Sequence, residues 1–186
     1  MSEAAFTSGE ASTALRATRW RLIVYLAVAT VASGIAGLVW AVGATRPGYV
    51  VNENLTASLP EAGLADVIAS DALFSVLVSI FGLGLGLLAW VWFRDLGWWV
   101  LLVSIVASGL GGLLTWRLGL AIGESGFAER LATAQPGDIV PIDLELHTVS
   151  ALLVAPFWAV TPIMLLAAFW PESRSDPDPE APALAQ

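Results

Sequence analysis

Three ionisable residues alternate just ahead of the last apolar run of this chain: Asp143, Glu145 and His147, the last being the only histidine. Residues two apart on an extended strand share a face. The three would then present two carboxylates and an imidazole together, a donor set that suits zinc or manganese. No second ligand cluster accompanies them, and the other reading is an interfacial cap or a loop contact that responds to pH through the imidazole. Asp71 opens the second apolar run, where an aspartate accepts from free helix amides as an N-cap; handling of a proton or cation is the alternative. Arg117 lies inside the third run, and a charge there is a functional candidate. It also stands about 8 Å from the end of that run at 1.5 Å per residue. From there it can snorkel to headgroups or pair with an acid such as Asp71. Arg117, Asp71, His147, Asp143 and Glu145 form the candidate polar cluster.

Nothing else in the chain offers chemistry. No serine sits in an elbow motif and no phosphate loop is present. The absence of cysteine removes disulfides, thiolate metal sites and cysteine nucleophiles together. We therefore expect no catalytic residues, no cofactor and no metal. A membrane enzyme acting on lipid or sugar-lipid would have to draw its acids from Asp143, Glu145, Asp71 and Asp66.

The elements that must position these residues follow from composition. Of 186 residues, 57% are hydrophobic and 13% charged, and the mean hydropathy is +0.77. Soluble domains run to about 45–50% apolar and about 25% charged, so lipid is the expected solvent. The net charge is −8, which argues against nucleic acid, whose binding needs clustered positive charge. A bilayer core takes about 20 apolar residues as helix. Four stretches qualify, at about 22–45, 72–93, 98–122 and 148–170. The expected fold is an all-α membrane protein whose transmembrane domain covers 21–171. Disordered tails at 1–20 and 172–186 flank it, since neither segment has the apolar content to offset chain entropy.

Arginine placement sets orientation. Arg16, Arg19, Arg21, Arg94 and Arg174 fall on one side of the four runs, and Arg46 and Arg130 on the other with most of the acids. Both termini are expected in the cytoplasm of a multi-pass cell-membrane protein. Val42-Gly43-Ala44 resembles a signal cleavage site, but the apolar run before it exceeds the ~7–15 residues of a signal peptide, so an uncleaved anchor is expected. Trp40, Trp90, Trp92, Trp98, Trp99, Trp116 and Trp170 fall near span ends, as interfacial belts do. Pro156 and Pro162 are expected to kink the fourth helix.

The two halves of the chain are alike. Ser33-Gly34-Ile35-Ala36-Gly37-Leu38 matches Ser108-Gly109-Leu110-Gly111-Gly112-Leu113 at an offset of 75 residues, and Leu77, Val78 and Phe81 match Leu153, Val154 and Phe157 at 76. This predicts two parallel-repeat hairpins about an axis along the membrane normal, with coincidence in a small alphabet as the alternative. Small residues four apart let helix backbones approach, and Ser33, Gly37, Ser108, Gly112, Gly82 and Gly86 are the candidate packing positions. Each outside loop is expected to be partly ordered. Residues 49–56 and 138–146 read as strands able to form a two-stranded patch, and 60–70 as an interfacial helix. Asn54-Leu55-Thr56 fits a glycosylation sequon.

The order of features resembles a family of small uncharacterised actinobacterial four-helix membrane proteins of unknown function. The resemblance rests on the Gly34–Trp40 pattern followed by Arg46-Pro47, on Ser70–Phe74, on Gly82–Trp92, on Gly111–Gly119 and on Pro136-Gly137. It covers roughly 21–170 and implies four membrane helices in a Gram-positive envelope, with no catalytic residues to carry over. The leading expectation is a non-catalytic scaffold or accessory subunit. It would present two extracytoplasmic loops to an envelope-assembly or transport partner, or form a homo-oligomer, within the lipid bilayer. The alternative is a small transporter or channel with a polar outer cavity near Arg117, Asp71 and His147.

Overall fold

The computed structural model describes residues 3–51, 57–58, 61–123 and 126–169. The apolar runs become helices because lipid offers no partner to backbone amides and carbonyls. They are α1 (Glu3–Gly43), α2 (Glu61–Phe93), α3 (Trp99–Ile122) and, after a short α4 (Phe127–Ala132), α5 (Val154–Phe169). Four of these, α5 together with the 3-10 turn Val149–Leu153 before it, are long and apolar enough to cross a membrane. The chain is a multi-pass membrane protein. A tight 3-10 turn (Arg94–Leu96) joins α2 to α3.

Strands β1 (Gly48–Val51), β2 (Ala57–Ser58) and β3 (Ile139–Pro141) form one antiparallel sheet of order β2-β1-β3. The sheet ties the two long loops together, with Tyr49 opposite Val140 and Val50 opposite Ile139. It has one strand more than the two-stranded patch read from the sequence, and β3 is shorter than the 138–146 run. Pro141 has no N–H to continue a ladder, and beyond it the Ile142 amide still donates to the Pro47 carbonyl at 3.0 Å before the regular strand ends.

Several expectations need correction. Helix α1 begins at Glu3, so most of the segment expected to be a disordered tail is helical. Its Ala, Glu, Leu and Arg are strong helix formers, and they outweigh the interspersed Ser, Thr and Gly. Asp71 is not an N-cap, because α2 starts ten residues earlier, at Glu61, and absorbs the expected interfacial helix. Pro156 does not break a helix: it lies in the first turn of α5, where its missing N–H would have no helical partner anyway. Pro162 alone stands in the helix interior. The sequon at Asn54 and the tail from 172 onward lie outside the described residues.

Small residues decide how the helices meet. The order around the bundle is α1, α2, α5, α3, with α2 and α3 also touching across the middle. The first helices of the two hairpins are therefore neighbours, as are the second helices, and the hairpins stack side by side. A Cβ on Gly82 would overlap the carbonyl oxygen of Ala155, and one on Gly86 that of Ala159. On α1, a Cβ on Gly37 would lie 2.8 Å from the carbonyl oxygen of Thr115. These approaches bring backbone against backbone, which maximises dispersion contact where no hydrophobic drive separates helix from lipid. Ser33 and Ser108 are fully buried and donate to the carbonyls four residues back, each at 2.6 Å. Thr115 Oγ1 donates across the seam to the Ser33 carbonyl at 3.2 Å.

Trp40 departs most from expectation. Rather than joining an interfacial belt, it is fully buried, edge-on to Phe74 with ring centroids 5.0 Å apart. Its Nε1–H donates to the Ser70 carbonyl at 3.2 Å, so the one polar atom of the indole is satisfied. Gly119 makes room for the ring. Trp98 and Trp99, stacked at 4.4 Å, are the exposed pair at the opposite, turn end of the bundle.

Candidate functional site

The polar candidates gather at the loop end, where the chain between β3 and α5 lies over the ends of α1 and α2. Leu144 and Leu146 point inward and are buried, while Glu145 and His147 are exposed and Asp143 is half-buried. The period-two alternation read from the sequence is thus present, and it turns the three ionisable residues outward. Asp143 and His147 meet different neighbours, Arg130 and Asp71.

Asp143 organises the second loop. Its Oδ1 accepts from Arg130 Nη2 at 2.8 Å and from the Phe127 amide at 3.2 Å, at the start of α4. Arg130 Nη2 also donates to the Pro141 carbonyl at 3.1 Å. Partial desolvation acts to raise the Asp143 pKa. The Arg130 hydrogen bond, the amides of Phe127 and Gly126 and the Arg130 charge together outweigh it and hold the carboxyl below the ordinary value. Across the sheet, the Tyr49 and Phe127 rings lie 5.6 Å apart and join the first loop to α4.

Asp71 and His147 are brought together, as the candidate cluster required. Asp71 is nearly buried on α2, and its Oδ1 accepts from the His147 amide at 3.3 Å. The His147 Nδ1 stands 4.0 Å from the same oxygen. Asp71 therefore does serve a backbone amide, but that of the segment entering the fourth span rather than its own helix. Arg46 donates to the Ala41 carbonyl at 3.1 Å and caps the end of α1.

Arg117 is not part of this cluster. The inward stripe of α3 runs through Ser104, Ser108, Gly111, Thr115 and Gly119. Position 117 is two residues beyond Thr115, about 200° around the helix. It is exposed, with its guanidinium 5.0 Å above the Trp116 ring, a cation–π placement. Arg117, Asp71 and His147 thus do not converge on one cavity. Asp66 likewise stands apart, its carbonyl accepting from Thr45 Oγ1 at 3.2 Å. Among the described residues no three His, Asp or Glu side chains are placed to share a metal ion.

The cavity between the loops and the helix ends is small. Ser70, Arg46, Asp143, Glu145 and His147 line it, and its volume is about 10 Å³. That is room for about one water molecule, against the ~300–1,000 Å³ of ligand clefts. The arrangement is a closed, cross-braced cap. Of the packing candidates, Gly82, Gly86 and Gly37 sit at tight backbone contacts, whereas a Cβ on Gly112 would meet Ala155 Cβ at an ordinary 3.5 Å. Gly111 and Gly119, which the i, i+4 reading passed over, are the crowded positions of α3, against Phe81 and Trp40. Their signal was the i+7, i+11, i+15 continuation of the stripe from Ser104. No protein-family model matches this chain, nor does any curated protein or any solved structure.

Proposed function

We propose that this protein is a non-catalytic membrane scaffold or accessory subunit. Its two loops form one docking cap on the extracytoplasmic face of the cell membrane, with both termini in the cytoplasm. The supporting observation is the cap itself. Its first loop is paired to its second through β1 and β3, and it is tied to α2 by Asp71–His147, beside the Trp40–Ser70 bond that joins α1 to α2. Cross-bracing around a cavity of about 10 Å³ fits a surface that is read by another protein rather than a pocket that holds a substrate. Ile139, 70% exposed on β3, is an apolar residue on this surface. The same reading takes the two hairpins as repeats, supported by the matching burial and bonding of Ser33 and Ser108.

Cross-linking in the native membrane, extraction in mild detergent and mass spectrometry test the reading. A membrane or envelope protein, or a second copy of this chain, should be recovered in fixed ratio, and Ile139→Asp should abolish its recovery. Monomer alone, with no cross-linked product, would count against the proposal.

A further inference from the structure

A concavity wider than that of the cap lies on the flank of the bundle, between α3 and α5. Near mid-helix an open groove of about 540 Å³ is lined by Ile105, Pro156, Phe157, Val160 and Met164. Towards the turn end lies a second hollow of about 380 Å³, where Trp90, Arg94, Gly97 and Trp98 meet Ile163, Met164 and Ala167. Met164 lines both, so the two adjoin along α5. From Pro156 to Ala167 is about 16 Å of helix, half of the ~30 Å hydrocarbon core.

Together they run one leaflet deep as a mostly apolar trough, with Arg94, Trp90 and Trp98 lining its turn end. A partner helix would need a contact surface reaching across both leaflets, and close helix contacts favour small side chains. The bulky Ile105, Phe157 and Met164 along the trough do not match that pattern. We propose that the trough binds one anionic phospholipid of the leaflet at the turn end, with an acyl chain along α5 and the phosphate at Arg94. The Arg94 side chain is 47% exposed, and Asp95 Oδ1 approaches its Nε at 3.9 Å while remaining 84% exposed. Trp98, 62% exposed, flanks the headgroup level, where indoles are favoured. The inference rests on the membrane reading alone and does not depend on which side the cap faces or on any partner for it.

Native mass spectrometry of the full chain, released from vesicles of equal phosphatidylglycerol and phosphatidylcholine with identical acyl chains, reads this directly. One retained lipid per chain is expected, with phosphatidylglycerol favoured about fivefold, the effect of one arginine near an anionic headgroup. R94Q should abolish the preference while still retaining lipid, and R94K should restore it. V160W, which fills the trough, should lower retention of both lipids. An unchanged preference in R94Q overturns the proposal, as does a chain released without lipid. A lipid-free dimer that V160W dissociates overturns it too, and would assign the trough to a second copy.

Discussion

Helix α5 has two neighbours and meets them differently. Against α2 it comes to backbone contact, with Gly82 and Gly86 under the carbonyls of Ala155 and Ala159. Against α3 it leaves the long trough between Ile105 and Phe157. The two seams share one helix, one register and one solvent, so the difference comes from side-chain size on the facing helix. Two glycines four apart remove the spacer between backbones, and the bulkier residues restore it. Lipid-exposed seams of one protein can therefore serve opposite ends, one fixing the bundle and one leaving room for a chain from the bilayer.

The contrast can be broken from the closed side. Trp40→Ala removes the largest buried side chain, together with the Ser70 hydrogen bond, where α1 and α3 meet over Gly119. The expected loss is about 3–5 kcal/mol, read as a large fall in the unfolding midpoint in detergent. Gly86→Ala drives a methyl into the Ala159 carbonyl and should cost about 1–3 kcal/mol. Gly112→Ala sharpens the comparison, because its methyl finds ordinary contact on the α3–α5 side. The helix-propensity gain of up to about 1 kcal/mol should leave it neutral or stabilising. Opposite signs for Gly86→Ala and Gly112→Ala in the same unfolding assay are the outcome that supports the two-seam account.

The smallest effect belongs to the cap. With the Asp143 carboxyl held below its ordinary value of 3.8, the folded state favours the carboxylate. The stabilisation is present above that value and disappears as pH falls through the lowered one. Hydrogen exchange at Phe127–Ala132 should therefore stay protected at pH 5 and increase only in strong acid. Asp143→Asn should show the increased exchange already at pH 7.

The four membrane helices were legible because length and apolarity alone specify them. Which way each side chain faces was less so, since belts and cores draw on the same residues near a span end. Trp40 illustrates this: its position suggested an interface, yet it lies three residues after Gly37 and seven after Ser33, on the buried stripe. Arg117 is the converse, two places off the stripe of α3 and so turned outward. The alternation of Asp143, Glu145 and His147 was readable, but their partners, Arg130 and Asp71, come from elsewhere in the chain. A single sequence carries no signal for such pairings. The 3-10 entry to α5, which places Pro156 in a first turn, likewise leaves no mark in the apolar pattern.

In the proposed orientation the loop cap lies outside and the α2–α3 turn at the opposite membrane face. Single cysteines at Gln135 and Asp95, both exposed and introduced into a chain that has no cysteine of its own, can be probed on intact cells with a membrane-impermeant maleimide. The account predicts labelling at position 135 without permeabilisation and at position 95 only after it. Labelling of both positions alike, or the reverse order, would contradict it.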